Sequence, residues 1–304
     1  MADLSLPKKS TTDRSSMIST TTPTEALPVP GALRLAVTVL QGLAPGLLAA
    51  VGERLFLRTR RFPVPARETR ALEAARTQRL ETSVGSLPVW VWGEEGPAVV
   101  LVHGWEGRGS QLGPFAEPLV AAGFRVVAYD APGHGAAPGG SSSLVLMAKA
   151  LSEVVGRVER AWGPAAAVVA HSAGAVAATY AVALGLPVER LVYVAPGADL
   201  LAYSRRFARA LGMSEALRRR LQERLERRIG VAWSEIEPVE RAPEMTAPLL
   251  AFADRDDPES PLPTVEALIR AWPGAELEVT SGLGHRRILR NPEVIGRAVE
   301  FLAD

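Results

Sequence analysis

The sequence predicts an α/β fold: a mostly parallel central sheet of about eight strands, with helices on both faces and a small helical cap. Three observations predict it. From about residue 77 onward, short runs rich in Val, Leu and Ala alternate with longer stretches of helical periodicity. Several of these runs, such as Ala-Val-Val-Leu-Val at 98–102, are apolar at successive positions, which is the pattern of strands covered on both faces of a sheet. With 304 residues, 47% of them hydrophobic, the chain is long enough for one such domain plus additions.

Composition excludes several function classes. The net charge of +1 argues against a nucleic-acid partner. The absence of Cys excludes disulfides, a thiol nucleophile and Cys-ligated metal sites. It also fits a reducing compartment, so a cytoplasmic protein is expected, with membrane association as an addition. Lys occurs only at Lys8, Lys9 and Lys149, so the basic residues are nearly all Arg, which reads first as a compositional bias.

Residues 1–30 are rich in Ser, Thr and Pro, lack apolar periodicity, and are expected to be a disordered leader. Residues 31–62 are predicted to form an apolar helical segment. Between Leu35 and Gly52 no charge interrupts the run, a length at the lower limit for a membrane-spanning helix. Gln41, Gly42, Pro45 and Gly46 break it, however, so two short helices joined near Ala44-Pro45-Gly46 are predicted. Leu33, Val37, Leu40, Leu47, Val51 and Leu55 fall near helical spacing, and the expectation is that this stripe packs on protein. The competing reading is a peripheral membrane contact through 31–57, favoured by Arg54, Arg58, Arg60 and Arg61 on its flank. A polar stretch of roughly thirty residues before the run argues against a cleaved signal peptide.

The α/β domain is expected over 63–304. Strands are predicted near 77–84, 88–92, 98–102, 125–129, 166–170, 190–195, 248–252 and 275–280, and helices near 110–122, 143–161, 173–185, 263–271 and 291–303. A helical insert at about 197–245 interrupts the alternation and supplies the cap. In it Leu217, Leu221, Leu225 and Ile229 recur at i+4 as one apolar stripe. Between Arg205 and Arg228 the insert carries nine Arg against three Glu, either a solvated helix face or a basic lid that steers anionic substrates or rests on an anionic surface.

The chemistry lies in the turns that follow the strands. Val-Val-Ala-His-Ser-Ala-Gly at 168–174 places Ser172 between small residues, after a strand and before a helix. This is the nucleophile-elbow pattern, with Ala170 in place of the usual first Gly. Of the four His, His285 lies in a Gly-rich turn after the last predicted strand, from which an imidazole can reach the top of the sheet. His103 and His134 are expected to structure turns near the site, and His171 directly precedes Ser172. After the strand at 248–252, the loop Ala-Asp-Arg-Asp-Asp-Pro-Glu-Ser-Pro offers Asp254, Asp256, Asp257 and Glu259 as acids to orient an imidazole, and Asp199 is a further loop acid.

The order Ser172, loop acid, His285 is that of the α/β-hydrolases, and the chain resembles that superfamily over roughly 77–304. It is similar to the serine esterase, lipase and aminopeptidase-like branch with a short helical lid. The resemblance implies that Asp257 is the acid, because its loop resembles the family's Gly-x-x-Asp-x-x-Val-Pro, with Asp254 at the Gly position and Ser260 at the Val position. It implies that the backbone N–H groups of Trp105, in a His-Gly-Trp oxyanion loop, and of Ala173 receive an oxyanion. His103, Gly104 and His171 are then expected to line the site, and Asp-Ala-Pro-Gly-His-Gly at 130–135 resembles a structural family marker.

The function expected is a serine hydrolase that cleaves a carboxylic ester through an acyl-enzyme, with no metal or organic cofactor, acting on a small-molecule ester or acyl substrate. Other acyl chemistry on the same site (peptidase, thioesterase, acyltransferase) is an alternative. C–C bond hydrolysis and cofactor-free haloperoxidase chemistry share the fold and triad. A catalytically silent binding protein is the alternative of a different class. Oligomeric state is left open by the sequence.

Overall fold

The computed structural model describes residues 30–304, so the expected leader lies outside the described residues but for Pro30. The chain opens with helices α1 (Gly31–Leu40), α2 (Pro45–Leu57) and α3 (Ala66–Glu73). Strands β1 (Arg76–Thr82), β2 (Gly85–Trp92) and β3 (Ala98–Val102) follow, then α4 (Ala116–Ala121), β4 (Arg125–Tyr129), α5 (Leu144–Trp162), β5 (Ala165–His171) and α6 (Ala173–Ala183). After β6 (Arg190–Val194) come α7 (Leu200–Leu211), α8 (Glu215–Ile229), α9 (Trp233–Ile236) and α10 (Pro238–Arg241). The chain ends with β7 (Leu249–Asp254), α11 (Leu262–Ala271), β8 (Glu276–Thr280), α12 (Gly284–Arg287) and α13 (Pro292–Ala303).

The eight strands form one sheet in the order β1-β2-β4-β3-β5-β6-β7-β8. From β4 to β8 all neighbours are parallel, while β1–β2 and β2–β4 are antiparallel. The inner strands are buried on both faces. Val100 and Val102 join one cluster with Met147, Leu151 and Val155 of α5, whereas Val99 and Leu101 join another with Leu112, Phe115 and Phe301. Successive side chains of β3 thus feed opposite cores, which is why its sequence does not alternate with polar residues.

Two details depart from the sequence reading. The helix expected over 110–122 is a 3-10 turn at Gly109–Phe115 followed by the short α4, because Gly109, Gly113 and Pro114 disfavour a continuous α-helix. The apolar stripe of 31–57 is the larger correction. Both predicted helices form, but Leu33, Leu40, Leu47, Val51 and Leu55 are exposed, and of the stripe only Val37 is buried.

The helices pack on protein through a different face: Ala49, Gly52, Glu53 and Leu57 of α2 are buried. Their partner is the apolar stripe of α8, where Leu217, Leu221 and Leu225 are buried against Val37, Ala49 and Leu57. Full burial of each such Leu contributes roughly 1.5–3 kcal/mol. Glu53 accepts hydrogen bonds from Arg224 Nε at 2.9 Å and Arg228 Nη1 at 2.8 Å. Beyond α2, the Thr59 hydroxyl donates to Gly133 O at 2.7 Å and anchors the segment to the loop after β4. No helix among the described residues is long and apolar enough to cross a membrane.

Candidate active site

Parallel strands deliver their C-terminal loops to one edge of the sheet, where α/β folds place ligands. His103, Ser172, Asp257 and His285 stand in the loops after β3, β5, β7 and β8. Ser172 adopts φ +54° and ψ −123°, a region that non-Gly residues rarely occupy. The turn is tightly packed against the loop after β3. A Cβ on Gly174 would stand 2.6 Å from His103 O, and one on Gly104 would stand 2.8 Å from Ser172 Cβ. Ala170, in place of the usual Gly, is a fully buried strand residue and keeps its methyl within the core.

The Ser172 hydroxyl donates to His285 Nε2 at 2.9 Å, and His285 Nδ1–H donates to Asp257 Oδ2 at 2.7 Å. The Asp257 side chain is fully buried, and its Oδ1 accepts the N–H groups of Glu259 at 2.8 Å and Ser260 at 3.2 Å. The carboxylate therefore arrives at the imidazole with its other oxygen already fixed.

The remaining acids of the loop do different work. Asp254 Oδ2 accepts the Thr280 hydroxyl at 2.8 Å and Leu283 N–H at 3.0 Å, and Asp256 Oδ2 accepts Gly282 N–H at 2.8 Å. Burial pushes the Asp254 carboxyl up, but hydrogen bonds from Thr280, Leu283, Gly284 and Asp256 outweigh it and hold the carboxyl below its ordinary value. These two residues pin the turn that carries His285. Glu259 is partly exposed with its carboxylate 4.0 Å from His285 Nε2. Asp199 caps α7 by accepting Ala202 N–H at 2.6 Å.

The other three His are neutral braces. His103 accepts Ala131 N–H on Nε2 at 2.9 Å and donates Nδ1–H to Gly104 O at 2.8 Å, and burial lowers its pKa to about 4. His134 donates Nδ1–H to Pro132 O at 3.0 Å, and burial lowers it to about 3. His171 donates Nε2–H to the backbone carbonyl of His285 at 2.9 Å, and burial, with His285 beside it, holds it well below the ordinary His value. Asp130 accepts Gly109 N–H and Ala136 N–H, each at 2.7 Å, while burial pushes its carboxyl up to about 6. These contacts tie the loops after β3 and β4 together.

Among the described residues, the backbone N–H groups of Trp105 and Ala173 donate to no other group. Trp105 directly follows Gly104, which touches Ser172, and Ala173 opens α6. The turn after Trp105 is fixed by Glu106 at φ +54°, whose carboxylate receives Arg60 Nε and Nη2, each at 2.9 Å. Two residues further on, Arg108 Nε donates to Glu68 at 2.6 Å. Arg60 and Glu68 thus brace this loop from the N-terminal segment. Sequence reasoning missed both contacts, because nothing local links residues forty or more positions apart.

Above Ser172 opens a cavity of about 1520 Å³. Its lining includes the apolar side chains of Phe56, Leu57, Phe207, Leu225, Ile229 and Trp233 together with arginines of α7 and of the His285 turn. Phe56 is its centre of aromatic contact, stacked on Trp233 at 5.9 Å and edge-on to Phe207 at 5.1 Å and Tyr203 at 5.5 Å. Among the described residues no group of three or more His, Asp or Glu side chains is placed to hold a metal ion.

Comparison with known proteins bears on this arrangement. A model of the "Alpha/beta hydrolase family" matches residues 99–298. Among solved structures, an esterase of Pyrococcus furiosus aligns with a TM-score of 0.63 at 18% identity, covering 81% of this chain and 98% of its own. A hydrolase of Pseudomonas aeruginosa gives 0.58 at 22% identity, covering 75% and 99%. A thioesterase domain from the curacin biosynthetic pathway gives 0.53 at 19% identity, covering 76% and 100%. At these identities the likeness is one of fold. The curated proteins contain no match.

Proposed function

The chain belongs to the alpha/beta hydrolase family, and on that premise we propose that it is a serine hydrolase cleaving a carboxylic ester through Ser172, His285 and Asp257. The observation that carries the reading is the unbroken relay from Ser172 Oγ through His285 to Asp257, at 2.9 and 2.7 Å, beside two backbone N–H groups without partners among the described residues. A Ser hydroxyl is a poor nucleophile until a base takes its proton.

In the proposed reaction, Oγ attacks the ester carbonyl carbon while His285 Nε2 accepts the hydroxyl proton. Asp257 keeps the other imidazole proton on Nδ1 and stabilises the imidazolium that forms. The tetrahedral oxyanion lies against the N–H groups of Trp105 and Ala173, where each donor is worth about 2.7–4 kcal/mol. Collapse breaks the C–O bond, and His285 returns its proton to the leaving alcohol. Water activated by the same imidazole then releases the acid and restores Ser172. His171 fixes the backbone of the base through its bond to His285 O. The apolar cavity walls suit an apolar acyl group or alcohol.

A fluorophosphonate probe followed by a p-nitrophenyl ester series tests this reading. The expected result is stoichiometric labelling at Ser172, with both labelling and hydrolysis lost in Ser172→Ala, a fall of about 10⁶-fold in kcat. One equivalent of probe still bound by the folded Ala variant refutes the assignment. Thioester and amide analogues of the best ester define the bond that is cleaved.

A further inference from the structure

Helices α1 and α2 present an outer face that no other described residue covers. On it Leu35, Val39, Leu43 and Leu47 are 65%, 60%, 80% and 65% exposed, and Val51 and Leu55 continue the row along α2. The exposure peaks at the link between the helices, so the apolar side chains form a protruding tip. Folded proteins rarely leave so many neighbouring large apolar side chains in water unless something else covers them.

The charge around the tip says what that is. Residues 31–61 and 200–230, which include α1, α2, α7 and α8, contain fourteen Arg and four Glu, in a chain whose total net charge is only +1. The one acid of the two apolar helices, Glu53, is buried and bonded to Arg224 and Arg228, so it faces away from solvent. Arg34, Arg54 and Arg58 are exposed on the flanks of the apolar row, and Arg205 and Arg209 are exposed on α7, against which α1 packs. A second copy of the chain seated on this face would bring two Arg-rich surfaces together. A surface apolar below and negative at its boundary satisfies both features.

We propose that the protein docks on anionic lipid membranes through the outer face of α1 and α2, with Leu43 and Leu47 entering the acyl boundary and Arg34, Arg54 and Arg58 meeting the headgroups. The placement also has a consequence for the cavity over Ser172. Phe56 and Leu57, at the end of the docked helix, are walls of that cavity, so a docked molecule holds its cavity beside the lipid. The docking itself does not rest on the proposed ester chemistry.

The test is co-sedimentation of the full chain with vesicles of phosphatidylcholine alone and of phosphatidylcholine mixed with phosphatidylglycerol. Binding to the mixed vesicles that weakens as salt is raised supports the proposal. Leu43→Asp combined with Leu47→Asp alters only exposed side chains away from the cavity. It is expected to reduce vesicle binding at least tenfold while melting temperature and hydrolysis of a short soluble ester stay unchanged. Arg54→Gln with Arg58→Gln is expected to weaken binding about fivefold per Arg removed.

Absence of binding to the mixed vesicles, or equal binding to both compositions, overturns the proposal. So does a concentration-dependent dimer that the Leu43→Asp, Leu47→Asp variant abolishes, because the face then belongs to a second copy. Absence of ester hydrolysis in the wild type, with its vesicle binding retained, strikes the proposed chemistry and leaves the docking standing.

Discussion

Asp257→Asn isolates the contribution of one atom. In the wild type, Oδ1 of the fully buried carboxylate accepts two backbone N–H groups and Oδ2 accepts His285 Nδ1–H. Asparagine keeps one acceptor and turns the other position into a donor. If its oxygen stays on the Glu259 and Ser260 N–H groups, its NH₂ faces His285 Nδ1 and drives the imidazole proton to Nε2. That nitrogen then donates to Ser172 and cannot accept its proton. Flipping the amide restores the productive tautomer but strips two buried donors of their acceptor, at about 1–3 kcal/mol each. Either route raises the barrier by several kcal/mol, in keeping with a loss of about 10⁴-fold, or about 5.4 kcal/mol at 1.36 per decade. The assay is kcat/KM on the best p-nitrophenyl ester, with the melting curve recorded in parallel. A fall of less than tenfold in a folded Asp257→Asn refutes the reasoning. An equal fall in Asp254→Asn at unchanged melting temperature also refutes it.

Three further outcomes are expected. Gly104→Ala places a methyl 2.8 Å from Ser172 Cβ and 3.2 Å from His171 Nδ1, so the Trp105 loop must retreat. A loss of one oxyanion donor, about 10²–10³-fold in kcat with intact folding, should follow, and an unchanged kcat would count against the role of that loop. Glu53→Gln removes the carboxylate that two Arg share and should lower stability by about 1–3 kcal/mol, with faster hydrogen exchange confined first to α2. Burial pushes the Glu237 carboxyl up to about 7, against the Leu200 N–H and helped by Asp199 and Glu240. A raised acid favours the native state while protonated, so its contribution is complete below about pH 4.5 and lost as pH rises through about 7. Glu237→Gln should therefore gain melting temperature relative to wild type across that window, and a pH-independent difference between the two would contradict the assignment.

The sheet was legible because its inner strands carry their burial in their composition: Ala98–Val102 and Arg125–Tyr129 begin and end as the apolar runs do. The turn at Ser172 was legible because a backbone at positive φ, crowded by His103 and Gly104, admits only small neighbours. The orienting acid was less so. Asp254, Asp256 and Asp257 are the same chemistry within four positions, and only the fold decides that one faces Nδ1 while two hold the turn beneath it. Periodicity identified a shared stripe on α1 and α2 but carries no information on which side of a helix is covered, and there the expectation failed. Arg60, Glu68 and Phe56 act on residues far along the chain, and no local pattern announces such pairings.

Phe56 has one further consequence. It belongs to a helix held on α8 by a patch of Leu side chains and one shared carboxylate, whereas Ser172, Asp257 and His285 hang from the central sheet. What the cavity admits and what its floor does to a substrate are thus secured by different structures. On the proposed ester chemistry, a wall that loosens on warming before the sheet does would lose discrimination among acyl groups at a temperature where turnover of small esters still proceeds. The proposed hydrolase would then have two melting points, one for its selectivity and a higher one for its chemistry.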